Sequence, residues 1–265
     1  MRRTLSLLAL AIAAALPLAQ FAGVAQRPVI DFDEPPGTFS ILGFDPETGE
    51  VGAAVQSAVF SVGNGVLWAE AGIGAVATQA IVDVSYGPQG LALLEQGMAP
   101  RDIIKKILDD DPDKGLNGRP WPKAGRQFAV MNAKGEFAAH TGPEATPWAG
   151  DKQGKFCTAQ GNILAGPDVV AKMVEAFESS EQAADGRRNH ISLRLVAALE
   201  AGLAAGGDKR GQQSAALLIV RKTGGVWLNN DVVLRLQVDD SVEPIKELRR
   251  LVERSRRGRG RGGIE

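Results

Sequence analysis

From Thr38 onward, short apolar or alternating runs are broken at intervals by turn residues. TFSILGF leads into DPETGE, and VGAAVQS follows. Pro46 and Gly49 stand where a tight hairpin favours them. GIGAVATQA reads as a further strand, after a Gly-rich connection that carries Trp68. The period then lengthens. Leu91, Leu94 and Met98 share a face of a helix over 87–98, and Ile103, Ile104, Ile107 and Leu108 share one over 100–110. Pro100 suits a first helical turn, and Asp111-Pro112 ends the segment. DKGLNGRPWPKAGR is loop-like. Strands resume at QFAVMN and EFAAHTG, joined at Ala133-Lys134-Gly135. After the segment CTAQGN, Pro167 opens a helix with Val170, Met173, Val174 and Phe177 inward, and a second helix runs from Ile191 to Ala205. QSAALLIV is a wholly apolar strand, as expected where both faces of a sheet are covered. VVLRLQV alternates more cleanly, and EPIKELRRLVERS is an amphipathic terminal helix.

Helices thus come in pairs between hairpins, which is not the strict strand–helix alternation of a doubly wound parallel sheet. The pattern predicts an α+β protein: two antiparallel sheets packed together, with helix pairs outside. One domain over 38–253 accounts for it.

The ends are different. Arg2 and Arg3, the apolar stretch Leu5 to Leu18 and the small residues Gly23-Val24-Ala25 read as a secretory signal peptide over 1–25, too short for a spanning helix. An exported protein, periplasmic or secreted, is the expectation, and no second stretch approaches ~20 apolar residues. Residues 26–37 (QRPVIDFDEPPG) form a Pro-rich, acidic leader. The tail 254–265 is Arg/Gly low complexity with no apolar face, and is expected to be disordered. Composition changes little in this picture. A hydrophobic share of 44% and a charged share of 23% are ordinary globular values. The basic tail offers weak anionic affinity, but no aromatic residue interleaves its arginines, so no specific nucleic-acid partner is expected.

Candidate chemistry starts at Gly37-Thr38. A threonine freed at its amine can use that amine to take its own hydroxyl proton; a threonine inside the chain is only the first residue of a strand. The lone Cys157 cannot form an internal disulfide and reads as a small buried hydrophobe. His140, at a strand end, is either a structural residue or part of a site, and His190 is expected to face solvent. Trp68 and Trp148 could line a pocket mouth or serve in packing. Two distant histidines and one cysteine give no metal-ligand spacing, and Asp109 to Asp113 lacks the pattern of a calcium loop, reading as a solvated helix end. No phosphate-binding or dinucleotide motif is present, so no metal or cofactor is expected.

Five segments carry a resemblance: TFSILGFDPETGEVG, GIGAVATQA with SYGPQGLALLEQG, AAHTG with PWAG, QGNILAGPDVV, and GGDKRGQQSAALLIV. They resemble the family catalogued as domain of unknown function 1028, grouped with the N-terminal-nucleophile hydrolases, over about 38–250. More distantly, the start is similar to a proteasome β-subunit, where a Gly-Thr bond is cleaved to expose a catalytic threonine on the first strand of a four-layer α-β-β-α sandwich. That resemblance implies Thr38 as nucleophile, Asp208 and Ser214 as supports of the free amine, and Gly161 with Asn162 near the developing oxyanion. His140 and Trp68 join as candidate substrate-binding residues. The sequence departs from the proteasome pattern, which has an Asp in the second strand and a Lys shortly after: here that strand ends Gln56-Ser57-Ala58, and the next stretch offers Glu70 but no lysine.

Two functions follow. One is an exported amidohydrolase that cleaves a small amide or peptide-like substrate through Thr38. The other is a non-catalytic binding module on the same scaffold, recognising peptidoglycan-like cell-envelope material. A homo-oligomer is compatible with either.

Overall fold

The structure is a computed structural model that describes the backbone of residues 37–259 and the side chains through 256. The expected signal peptide, nearly all of the leader and the last residues of the Arg/Gly tail lie outside the described residues.

Ten strands are described: β1 (Thr38–Asp45), β2 (Glu50–Ser57), β3 (Leu67–Glu70), β4 (Gly74–Ala80), β5 (Arg126–Asn132), β6 (Phe137–Thr141), β7 (Gly150–Gly154), β8 (Cys157–Asn162), β9 (Ser214–Val220) and β10 (Val232–Val238). The helices are α1 (Gly63–Val66), α2 (Tyr86–Glu95), α3 (Pro100–Asp110), α4 (Asp168–Ser179), α5 (Ile191–Ala204) and α6 (Pro244–Arg259). One sheet has the order β10-β9-β2-β1-β8-β7 and the other β3-β4-β5-β6. Every strand pairing is antiparallel. Two antiparallel sheets with flanking helices is the α+β arrangement that the helix-pair rhythm predicts.

Side-chain alternation along each strand sorts the interior into three cores. On β1, Phe39 and Ile41 point to one face and pack with residues of α4, α5 and α6 such as Phe177, Leu195 and Leu248. Leu42 and Phe44 point to the other and meet Ala75, Ala77, Ala129 and Met131 of the smaller sheet. The far side of that sheet presents Val76, Phe128 and Val130 to Ile103, Ile104 and Ile107 of α3. The six-stranded sheet is therefore covered on both faces, which is why β1, β2 and β9 are buried along their whole lengths.

Three strands escape the hydrophobic pattern. β3 is a short edge strand, LWAE, only partly buried. β7, GDKQG, is the opposite edge strand of the larger sheet and is mostly polar. β8 is fully buried despite its polar sequence, CTAQGN: Cys157 and Ala159 join the helix-side core, while Gln160 and Asn162 hydrogen-bond to Ser40 and Thr38 of β1. The terminal helix also runs further than its amphipathic stretch, to Arg259, into the segment expected to be disordered.

Gly43 and Gly52 face one another across β1 and β2 at the point where α4 and α5 press on the sheet. A Cβ at Gly43 would sit 2.7 Å from the Phe177 ring, and one at Gly52 2.7 Å from Leu195 Cδ1. Gly43→Ala must displace an aromatic ring that is fully buried. The expected cost is ~1–3 kcal/mol, the range for overpacking a core, seen as a lower midpoint in thermal or urea unfolding with the native circular dichroism retained.

Candidate active site

The register of the larger sheet places four polar residues in one cross-strand row. Thr38 on β1 lies opposite Ser57 on β2 and Asn162 on β8, and Ser57 in turn lies opposite Ser214 on β9. Cross-strand partners share a face, here the one toward the second sheet. The Thr38 N–H donates to Asn162 Oδ1 at 2.8 Å. The Thr38 hydroxyl donates to Ser57 Oγ at 3.1 Å. The Ser57 hydroxyl donates in its turn to the Gly37 carbonyl oxygen at 2.5 Å. A continuous path thus runs from the threonine hydroxyl through Ser57 to the carbonyl of the preceding peptide bond.

The same carbonyl accepts a second hydrogen bond, from Arg210 Nη2 at 2.8 Å. Asp208 fixes that guanidinium: its carboxylate takes Nη2 at 2.8 Å and Nε at 3.2 Å, and accepts the Arg210 N–H at 2.9 Å. A Cβ at position 37 would lie 2.8 Å from Arg210 Nη2 and from Asp208 Oδ2, and 2.9 Å from Ile163 Cβ. Glycine before Thr38 is a steric requirement.

Behind this row, the space between the sheets is polar. Gln79 Nε2 donates to the Thr38 carbonyl at 3.4 Å and to Gln127 Oε1 at 2.8 Å. Ser40 donates to Gln79 Oε1 at 2.5 Å and accepts from Gln160 Nε2 at 2.6 Å. Gln127 also reaches the Gly161 carbonyl at 2.9 Å. All four residues are buried, and such groups are held by their mutual hydrogen bonds.

In front of Thr38 lies a cavity of about 670 Å³, walled by the segment Val59–Val66, by Val82–Val84 and by Lys114–Leu116 with Trp121. Thr38 lines it while only 2% exposed, at its inner end. Arg126 holds two walls together, donating to the carbonyls of Ile81 at 2.9 Å and Trp121 at 3.0 Å. The Trp121 indole adds a bond to the Val82 carbonyl at 2.8 Å. Arg126 is itself buried against Asp111 at 3.2 Å, and Asp111 accepts from the Tyr86 hydroxyl. Asp111 is thus the anchor of the cavity loop, which corrects its reading as part of a solvated helix end.

The residues singled out in the sequence separate on this map. Thr38 and Asn162 are in direct contact. Asp208 bonds Arg210 and reaches the threonine only through that side chain and Gly37. Ser214 spends its hydroxyl on the Val59 carbonyl at 2.6 Å and the Val62 N–H at 3.0 Å, fixing a cavity wall. Gly161 turns its side-chain position toward Leu164, away from the cavity, and contributes a carbonyl acceptor. His140 pairs with Phe128 on the helix-facing side of the smaller sheet, where burial lowers its pKa against a smaller opposing pull from Asp151. Trp68 packs over Gly87 of α2 and donates to Thr78, one residue behind the cavity surface. Trp148 packs on the helix-side core.

His190 is not a solvent-facing residue. It caps α5 through Nδ1, which accepts the Ser192 N–H, and its Nε2 lies 3.1 Å from the buried Glu50 carboxylate. Cys157 is fully buried, and burial, helped by Glu178, pushes its thiol up to about 12. It stays protonated at neutral pH, as a small hydrophobe should. No cluster of metal-ligating side chains occurs among the described residues, and none of the described helices is long and apolar enough to cross a membrane.

Sequence reasoning missed Ser57 and Arg210. Ser57 ends the second strand, and the cation beside Gly37 comes from Arg210 in the loop before β9. Asp208-x-Arg210 was the available signal.

The Asp111 anchor yields a test. Burial pushes this carboxyl up, but the Tyr86 hydroxyl, the Asp113 N–H and Arg126 together outweigh it, and the net shift is down. A lowered folded pKa means that the pair's stabilisation is present above the unfolded carboxylate value, ~3.9, and is lost as pH falls through the folded value. Asp111→Asn, which strands a buried guanidinium, should cost ~3–5 kcal/mol at neutral pH. The gap from the unsubstituted protein in urea unfolding should narrow once pH drops below about 4.

Comparison with known proteins places this geometry in a family. A family model described as a family of unknown function, DUF1028, matches residues 38–248. The crystal structure of a Silicibacter pomeroyi protein of the same family is similar, with 30% sequence identity and a TM-score of 0.70, over 83% of this chain and 89% of that one. Among curated proteins no match is found. The match begins at Thr38, the first residue of the row just described, and spans both sheets: the chain belongs to the DUF1028 family.

Proposed function

We propose that this protein is an exported amide hydrolase of the N-terminal-nucleophile type, on the α-β-β-α sandwich associated with that class, and that Thr38 becomes its nucleophile after scission of the Gly37–Thr38 bond. The observation that carries the reading is the hydrogen-bond path Thr38 Oγ1 to Ser57 Oγ to Gly37 O, with Arg210 as second donor to the same oxygen.

Those groups suit an acyl shift. Thr38 Oγ1 attacks the Gly37 carbonyl carbon, and its proton moves through Ser57 toward the oxygen on which negative charge develops. Arg210 stabilises that charge. As the C=O re-forms the C–N bond breaks and the nitrogen takes the proton that left Oγ1, passed back through Ser57, so that an ester joins Gly37 to the Thr38 oxygen until water hydrolyses it. The products are a chain ending at Gly37 and a chain beginning with the Thr38 amine.

The freed amine keeps Asn162 Oδ1 as an acceptor; α-amines ordinarily titrate near ~7.7–8.0, a range in which part of the population is neutral at physiological pH. In turnover it takes the Thr38 hydroxyl proton as the hydroxyl attacks a substrate carbonyl, and returns it to the leaving amine. Ser57 and Arg210, relieved of the Gly37 oxygen, are the donors for the new oxyanion. Asp208 keeps Arg210 in place, and Asn162 orients the amine. The alternative, a binding module for cell-envelope material, requires none of this alignment.

Ser57→Ala removes the relay and one oxyanion donor. It should slow Gly37–Thr38 scission by ~10²–10³-fold, the loss found when one such donor is removed, read as persistence of the longer chain in a time course by mass spectrometry. Thr38→Ala should abolish scission and amide hydrolysis together, and Thr38→Ser should retain both in part. Scission at wild-type rate in both the Ser57→Ala and Arg210→Ala proteins would defeat the proposal. A Thr38→Ala protein that still binds peptidoglycan fragments, with no amide turnover by the parent, would favour the binding module.

A further inference from the structure

The wall of the cavity in front of Thr38 says what kind of group it accepts. Most of its inner polar lining residues are committed to protein partners, and two charged ones, Asp83 and Lys114, lie on the lining loops. Thr78 Oγ1 donates to the Gly65 carbonyl at 2.7 Å and accepts from Trp68. Asn64 donates to Ser61, and Ser61 donates to Asp239. Gln79 is spent on Ser40, Gln127 and the Thr38 carbonyl. Arg126 commits Nε to Asp111 and Nη1 to three backbone carbonyls. What remains for a ligand is mainly hydrocarbon, Val59, Val62, Val66, Val82, Leu116 and the Trp121 ring, with charge at Asp83, Lys114 and Arg126. Two further lining residues, Phe60 and Val84, are 42% and 46% exposed, so the cavity has apolar lips open to solvent. Apolar surface gathered around a concave site, with a polar reacting group at its inner end, is the arrangement of a ligand pocket.

Resting on the Thr38 reading, we infer that the cavity holds the acyl side of the substrate, and that this acyl group is a bulky hydrocarbon: the substrate class is amides of medium-chain or arylalkyl carboxylic acids. The volume admits such a group, and the predominance of hydrocarbon in the wall favours it over a peptide backbone or a sugar, which would need many more hydrogen-bonding partners. The acyl carbonyl then lies at Thr38 and the leaving amine lies outside the apolar chamber. Selectivity comes from burial, about fourfold per methylene that leaves water.

The test compares acetyl-, hexanoyl- and phenylacetyl-4-nitroanilide as substrates, alongside calorimetric titration with hexanamide and acetamide, all on the full protein as purified. The expectation is a hexanoyl-to-acetyl ratio in kcat/KM of tenfold or more, carried mainly in KM, with saturable binding of hexanamide and none of acetamide. Val84→Asp and Phe60→Asp put a charge on exposed lips, where folding should tolerate it, and should each pull that ratio toward one. Turnover with acetyl equal to or better than hexanoyl would overturn this inference while leaving Thr38 as nucleophile. Saturable hexanamide binding without turnover of any anilide would support the apolar chamber and defeat the hydrolase reading. Neither turnover nor binding would overturn the chamber.

Discussion

The pairing register of β1 between β2 and β8 is the constraint on which the site depends. With Thr38 opposite both Ser57 and Asn162, three side chains converge on one peptide bond. Side chains alternate between faces with a period of two, so a slip by one residue would turn Thr38 toward the helices and Phe39 toward the second sheet. The apolar residues further along β1 prevent it. Phe39 and Ile41 belong to the helix-side core, and Leu42 and Phe44 to the core between the sheets. The core thus sets the alignment, and the polar row at Thr38 inherits it.

The interior between the sheets is accordingly divided. Its distal part is hydrocarbon, and its Thr38 end is a network of Ser40, Gln79, Gln127 and Gln160. Buried amides are costly unless paired, and most of these are. Gln160 Oε1 and Thr158 Oγ1 find no protein partner. Such concessions are expected where a polar site is built into a core, since local choices that oppose stability gather at functional positions.

Much of the fold was legible in the sequence because the hydrophobic period reports it directly. The helices at 100–110 and 191–204, the first hairpin and the apolar run at β9 all follow their patterns. β8 was opaque for a physical reason: CTAQGN has only Cys157 and Ala159 in the apolar core, its other face is polar, and so short a signal names no strand when its neighbours are not visible. The site was half legible. Gly37-Thr38 and Asn162 carry a local signature or a family resemblance. Ser57 and Arg210 have meaning only through a register and a loop that bring positions 57 and 210 beside residue 37. Asp208 stood out in sequence as a possible partner of the amine, and the structure gives it Arg210 to hold instead. His140 and Trp68 drew attention as rare residue types, but neither lines the cavity: His140 packs beside Phe128, and Trp68 reaches the wall only through Thr78.

The central claim is that the aligned groups around Gly37 exist to release the Thr38 amine. Intact-mass measurement of the unsubstituted protein, purified after expression with its signal segment in place, addresses it most directly. The account predicts a dominant species whose mass begins at Thr38. A single stable species that still carries Gly37 and the residues before it would contradict the account.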